Sequence, residues 1–600
     1  MRDFEEYTRK QSDSHIFKRL LGYAGPFKKN FIIALALILI DVGLSSISPM
    51  LLGFIIRVIG NETFTNNQKF IYIGLIILAM LIAVGSAVVM VYFQQILLQD
   101  AGQQIVKQLR KEVFEHIEKL SLNQFNQIPI GKLITRVTND TNTLSEMYTS
   151  VLVNLIRNTL LMIVQFIIML IFNVKITLIM GITLPFVAII TFGYRAIARK
   201  QYRRVRNRNT EINAYLQENL SGIKLTQIFN QEVRKKEEFT INNKNLRREH
   251  LREMMMFAVY RPLMFLFSML ASLIVIYFLG IEIIKAIEAG ATKDQLVALA
   301  AVLVTMYTYA NDFYRPLQNL SENFNVLQSS FASSEKIFDV LGTVPEIVDS
   351  EGAIELKDFK GEIEFKNVWF YYVKDEWVLK DVSFKINANE TIAFVGATGS
   401  GKTTIMNLIV RNYDIIKGQI LIDGIDIKKI KLDSLRSEIG QMPQDVFLFT
   451  GSIKSNIAFK DDEISLDDVI KASEYVGADS FIESLDGKYE HIVRERGNNF
   501  STGQRQLLSF ARALVYEPTI MILDEATANI DSETEEIIQN SLEKMMKIST
   551  MIVVAHRLST IQKADRIYVM QKGEIKEAGT HQELLALGKI YYSLYELQYK

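Results

Sequence analysis

Apolar residues gather into six stretches in the first half of the chain, at roughly 31–56, 70–93, 151–172, 176–194, 256–279 and 295–314. A helix needs about 20 apolar residues to cross a hydrocarbon core about 30 Å thick. Each stretch is therefore predicted to span a bilayer; buried helices of a soluble protein are rarely so long or so many. Two polar connections, 94–149 and 195–253, are rich in helix formers, poor in proline and too long for structureless loops. They are predicted to extend the membrane helices beyond the bilayer. Each contains a break, at Ile128-Pro129-Ile130-Gly131 and at Leu220-Ser221-Gly222, where a short transverse helix is expected to touch a soluble domain. Ahead of the first span, Ile16, Phe17, Leu20 and Leu21 alternate with Lys18 and Arg19, a pattern that suits an interfacial helix. The stretch 332–360, with Gly342, Pro345 and a run of charges, reads as a linker. After it, apolar runs shorten to strand length at 363–370, 382–386 and 391–395.

Charge adds an orientation. The fourth-to-fifth connection is crowded with cations, among them Arg199, Lys200, Arg203, Arg204, Arg206 and Arg208, whereas the turn between spans three and four holds only Lys175. The positive-inside rule then puts the N-terminus, both long connections and the C-terminal half in the cytoplasm. Over all 600 residues Lys+Arg equals Asp+Glu at 67 each, which gives no argument for nucleic acid as a partner. The absence of cysteine excludes a disulfide framework and thiolate catalysis, and six scattered histidines leave little room for zinc. Residues 1–30 are polar and charged, the wrong order for a cleavable signal peptide.

The chemistry begins at Gly396-Ala397-Thr398-Gly399-Ser400-Gly401-Lys402-Thr403, a complete G-x-x-x-x-G-K-[ST] pattern after an apolar strand and before a helical run that opens with Thr404. Glycines let backbone N–H groups wrap phosphates, and the helix N-terminus adds a favourable dipole. Lys402 is expected to reach the β- and γ-phosphates of ATP and the Thr403 hydroxyl to ligate Mg2+. Downstream, Ile520-Met521-Ile522-Leu523-Asp524-Glu525 reads as a buried strand ending in two carboxylates. Asp524 is expected to hold Mg2+ and Glu525 to polarise the attacking water.

Between and beyond these motifs lie Gln444 in Met442-Pro443-Gln444-Asp445, then Phe500-Ser501-Thr502-Gly503-Gln504, then Ala528-Asn529-Ile530-Asp531, and finally His556. In order and spacing this set resembles the ATPase domain of ABC transporters, and the six-span half resembles the exporter type. The resemblance covers nearly the whole chain. It implies a six-helix transmembrane domain with long cytoplasmic extensions, then an α/β P-loop ATPase domain with an antiparallel β subdomain and a helical subdomain. Expected bounds are 1–30 for the interfacial segment, 31–331 for the membrane domain, 332–360 for the linker and 361–600 for the ATPase. The resemblance further implies that Tyr372 stacks on adenine, with Tyr371 as its rival. Gln444 would contact Mg2+ and the water, His556 the γ-phosphate, and Asp531 the dimer-interface loop. Phe500, Ser501, Thr502, Gly503 and Gln504 would act on a nucleotide held by the opposite subunit, and Glu495 resembles a cross-domain contact.

One chain of this kind carries half a transporter, so a dimer is implied, with ATP binding and hydrolysis driving export or outward flipping of a hydrophobic or amphipathic substrate. A soluble ATPase of the same superfamily would lack the spans, and an importer would normally keep the two halves on separate chains. An ATP-gated channel or receptor would share the motifs and would be distinguished by the lack of hydrolysis-driven vectorial transport. For the substrate, intramembrane charges are the candidates: Asp41, Arg157, Arg261 and Asp312. Asp312, near Tyr307, Tyr309 and Phe313, is expected with Asp41 to form a cation-accepting cavity. The family's usual Leu-Ser-Gly-Gly-Gln reads Phe-Ser-Thr-Gly-Gln here. Thr502 therefore favours a heterodimer over a homodimeric lipid flippase.

Overall fold

The computed structural model describes residues 12–356, 359–460, 463–524, 532–554 and 558–599. The chain divides into two compact units, Met1–Ile117 with Gly131–Thr343, and Glu118–Ile130 with Val344–Lys600.

The first unit is helical. Helix α1 (Asp13–Ala24) buries Ile16 and Leu20. Arg19, one turn from Ile16 on the same side, stacks its guanidinium over Phe338, 4.1 Å from the ring centroid. Among the described residues six helical segments are long and apolar enough to cross a membrane. They are built from α2 (Lys28–Gly60), α3 (Asn66–Glu118), α7 (Leu152–Phe172), α8 (Val174–Gly181) with α9 (Thr183–Ser221), α11 (Glu232–Glu288), and α12 (Lys293–Phe313). Before α7 the chain forms α4 (Leu122–Gln127), which belongs to the second unit, then α5 (Ile130–Thr135) and α6 (Thr141–Glu146); α10 (Ile223–Ile228) follows α9, and α13 (Arg315–Leu341) closes the first unit. Where no water competes for backbone groups, helices associate by close packing of small residues. A side chain on Gly53 or Gly60 of α2 would run into Thr305 or Val297 of α12, so these glycines set how closely the two helices approach.

Both expected breaks are present. Ile128 is extended (φ −108°, ψ 119°), as a residue before proline must be, and it ends α4. Gly222 separates α9 from α10. Three features depart from the pattern reading. The fourth span is interrupted between α8 and α9, where Pro185 cannot donate to the helix ladder. Two π-helical turns, Arg136–Asp140 and Met147–Val151, flank α6. The first is fixed by Arg136 donating to Asp140 at 2.5 Å and Ser333 of α13 donating to the same carboxylate at 2.7 Å. Finally, α13 runs to Leu341, so ten residues of the expected linker are helix. Ile337 and Phe338 lie buried there, and that apolar face continues the helix.

The second unit holds two principal sheets. Strands β1 (Ile363–Tyr371), β2 (Trp377–Ile386), β4 (Lys417–Ile422) and β5 (Ile425–Asp426) form an antiparallel sheet in the order β2-β1-β4-β5. A six-stranded sheet runs β12-β11-β3-β10-β9-β6, from β3 (Thr391–Val395), β6 (Ile439–Met442), β9 (Ile520–Asp524), β10 (Thr550–Val554), β11 (Arg566–Gln571) and β12 (Glu574–Gly579). Strands β3, β6, β9, β10 and β11 pair in parallel. β3 and β10 are buried at every position, as continuous apolar strands covered on both faces must be. A minor pair, β7 (Gly451–Ser452) with β8 (Ile492–Val493), borders a group of helices. The helices of this unit include, in chain order, α14 (Lys402–Ile409), α15 (Leu432–Ser437), α16 (Ile453–Ile457), α17 (Leu466–Tyr475), α18 (Asp479–Glu483) and α19 (Thr502–Leu514), with four more between Ser532 and Tyr599.

Candidate nucleotide site

The glycine-rich loop joins the end of β3 to the start of α14. Gly396 has φ 153°, and a Cβ there would stand 2.2 Å from the Met570 carbonyl oxygen. Gly401, φ 107°, would meet Leu379 at 2.7 Å. Only glycine lets the loop pass this close to β11 and β2. Lys402 is 6% exposed and curls back, donating to the Gly396 carbonyl at 2.7 Å and the Ala397 carbonyl at 3.2 Å. Burial pushes its ammonium pKa down, and the charge of Asp524 opposes that shift. Ser400 Oγ is buried with no hydrogen-bond partner among the described residues. A buried cation borrowing loop carbonyls and an orphaned hydroxyl, at the N-terminus of a helix, form a cradle that a phosphate completes. The residues present therefore fit ATP.

Asp524 ends β9 in register with Val554 of β10, partly buried and close enough for its charge to act on Lys402. Thr403 is exposed on the first turn of α14, and Gln444 is exposed two residues beyond β6. Hydroxyl, amide and carboxylate are all oxygen donors of the kind Mg2+ takes alongside nucleotide oxygens. Glu525, Asp531 and His556, with Ala528, Asn529 and Ile530, lie outside the described residues.

Strand alternation separates the two candidate adenine aromatics. The Tyr372 hydroxyl donates to Thr404 Oγ1 at 3.1 Å and its ring meets Tyr413 edge-on at 5.1 Å, which sets it beside the phosphate-loop helix. Tyr371 turns instead to Trp377, 5.0 Å between ring centroids.

Ser501 is the N-cap of α19 in a reciprocal capping box. Its hydroxyl accepts from the Gln504 N–H at 3.2 Å, and the Gln504 side chain accepts from the Ser501 N–H at 3.0 Å. Phe500 is buried beneath, against Phe481, and Gly503 is buried in the first turn. Thr502 has a local partner the pattern did not reveal, since Arg505 Nη2 donates to its hydroxyl at 3.3 Å. Gln444, Asp445, Arg496, Thr502, Arg505 and Gln506 line a cavity of about 300 Å3. Glu495 opens a short 3-10 turn in which Arg496 takes a left-handed conformation, φ 55°.

The two membrane acids separate. Asp41 is 1% exposed and accepts from Arg157 Nε of α7 at 2.7 Å, with Ser45 donating to its other oxygen at 3.3 Å. That pairing balances the charge of Asp41 within the chain and closes its surface. Asp312 remains partly exposed on α12, and its carboxylate has no hydrogen bond or ion pair to another described residue.

A P-loop between a parallel strand and a helix, a carboxylate-ended strand two places away in the same sheet and six apolar spans define an ATPase joined to a membrane domain. The ABC transporter transmembrane region family matches residues 31–307, and the ABC transporter family matches residues 379–528. The chain is 34% identical to the ATP-dependent lipid A-core flippase of Syntrophus aciditrophicus (strain SB), over 98% of this chain and 95% of that one. It is 35% identical to the probable multidrug resistance ABC transporter ATP-binding/permease protein YheH of Bacillus subtilis (strain 168), over 84% of this chain and 74% of that one. Among solved structures, a bacterial Atm1-family ABC exporter with ATP bound superposes with a TM-score of 0.76 at 25% identity, covering 95% of this chain and 98% of that one. The chain belongs to the ABC transporter family. It is a multi-pass half-transporter of the exporter type that works as a dimer and couples ATP hydrolysis to transport.

Proposed function

We propose that this chain is the catalytically complete half of a heterodimeric exporter of amphipathic, preferentially cationic molecules in the cytoplasmic membrane. Its N-terminus and ATPase domain face the cytoplasm. The loop residues Gly396 to Thr404, with Lys402 foremost, hold the phosphates, and Tyr372 stacks on adenine. Thr403, Gln444 and Asp524 hold Mg2+, which when bound neutralises charge on the β- and γ-phosphates. Glu525 orients and deprotonates the attacking water, and His556 contacts the γ-phosphate. Asp312 receives the substrate's positive charge.

The observation that carries the heterodimer is Thr502. Its β-branched side chain stands on the first turn of α19, where the family's glycine leaves the backbone open to a partner's γ-phosphate. The site completed by this signature is then the slow one, and it carries the partner's phosphate loop. This chain's own loop is completed by the partner's signature and is the fast one. A second reading, a homodimeric lipid flippase, draws on the Arg505 bond that accommodates the threonine and on the lipid A-core flippase relative. Expression of the chain alone and with a companion half-transporter distinguishes them. The heterodimer predicts one fast and one slow site, and substrate-stimulated ATPase only with the companion. A stable homodimer with two equally fast sites overturns it.

A further inference from the structure

Helix α4 has six residues, too few to hold a helix in water by themselves. Its capping box ties Ser121 to Gln124. What fixes it in place is the start of the segment that leads into the ATPase. Ser121 Oγ and Asn123 Nδ2 each donate to the Glu346 carboxylate at 3.1 Å. Gln124 Nε2 donates to the Val344 carbonyl at 2.7 Å, and the Glu346 N–H donates to Gln124 Oε1 at 3.2 Å. Four hydrogen bonds thus join residues 220 to 225 positions apart.

The same short segment is anchored a few residues later. Arg411, 3% exposed, donates from Nη2 to the Val348 carbonyl at 3.3 Å. Asp349 accepts from the Leu432 N–H at 2.9 Å, and Ser350 donates to the Lys428 carbonyl at 3.0 Å. Arg411 lies two residues past α14, the helix that begins at Lys402. A continuous series of polar contacts therefore runs from the far end of the phosphate-loop helix, through Arg411 and residues 344–350, to α4.

We propose that Glu346 is a positioning residue for ATP-coupled transport. Its carboxylate holds α4 to the segment leaving Val344, so a displacement of α14 on nucleotide binding is carried by Arg411 and that segment into α4. Chain continuity passes it on to α3 and α5, which flank α4. Such a network transmits a change only while its bonded members move as one piece. The proposal rests on ATP-driven transport by the family and on neither the identity of the partner nor the substrate.

The chain's lack of cysteine makes the test direct. A single Thr63→Cys, exposed in the turn between α2 and α3, is labelled with bimane in the assembled full-length transporter in nanodiscs. ATP turnover and the ATP·Mg2+-induced change in bimane emission are then measured together. Glu346→Ala and Gln124→Ala are expected to leave turnover within about twofold while shrinking the emission change by about threefold or more, the scale of losing partly solvated hydrogen bonds. Glu346→Gln keeps an acceptor for Ser121 and Asn123 and is expected to restore the emission change. An unchanged emission response in Glu346→Ala overturns the proposal. So does a loss of turnover in step with the response, which would make the contact a requirement of folding or of the ATP site. A parent transporter that turns over no ATP would instead count against the ATPase assignment itself.

Discussion

Replacing Arg157 by Gln is expected to destabilise the membrane unit more than replacing its partner Asp41 by Asn. The two single changes are expected to be strongly non-additive. Asp41 is 1% exposed, and without the guanidinium at 2.7 Å it keeps a single hydrogen bond, from Ser45 at 3.3 Å. Breaking a buried pair by removing one partner costs about 3–5 kcal/mol. Arg157 is 34% exposed on the bare protein and can relax, so the expected cost lies at the lower end, about 3 kcal/mol. Removing Asp41 leaves a cation whose long side chain can snorkel toward the interface, so its expected cost is the smaller of the two. In the double variant no charge is stranded, and its total is expected to lie within about 1 kcal/mol of Asp41→Asn alone. At roughly 2 °C per kcal/mol for a unit of this size, Arg157→Gln lowers the melting midpoint by about 6 °C. The double variant recovers most of that loss. The assay is heat-induced loss of monodisperse transporter in nanodiscs at one fixed scan rate, because unfolding of so large a membrane protein is irreversible. A double variant that melts below Arg157→Gln by the full shift of Asp41→Asn would show two independent surface charges and refute the reasoning.

Glu525→Gln is expected to retain ATP binding and slow single-turnover hydrolysis at this chain's own phosphate loop by about 10²–10⁴-fold; an unchanged rate removes Glu525 from the role of base. Tyr372→Ala is expected to raise the ATP concentration for half-maximal turnover about tenfold, the scale of one base-stacking contact, whereas Tyr372→Phe and Tyr371→Ala stay within about twofold. Equal effects at 371 and 372 would contradict the separation seen at the end of β1. Asp312→Asn is expected to reduce transport of a cationic dye about fivefold more than that of a neutral one, with basal ATPase retained. Equal losses for both dyes point to a structural role for that acid.

Features with a local cause were legible in the sequence. The six spans follow from runs of apolar residues, the ends of α4 and α9 from Pro129 and Gly222, and the phosphate loop from the spacing of Gly396, Gly401 and Lys402. Features caused by distant partners were not. Asp41 reads as a lone intramembrane acid because Arg157, which neutralises it, is 116 residues away. The choice between Tyr371 and Tyr372 depends on which face of β1 looks toward α14, and that requires the register of the sheet. Residues 332–341 look like a linker by composition, yet Ile337 and Phe338 find apolar neighbours that the local pattern cannot indicate. Thr502 read as a bare departure from a glycine, and its bond to Arg505 emerges only once the first turn of α19 is built.

Helix α3 contains 53 residues without a proline, from Asn66 to Glu118. At 1.5 Å per residue it is a rod about 80 Å long, of which only about 30 Å is needed to cross hydrocarbon. Held as a stiff shaft, it gains leverage: a tilt of about 5° about one end sweeps the other through about 7 Å over that length. A small tilt at the foot of such a shaft is thereby magnified at its far end, with no need for the helix itself to bend.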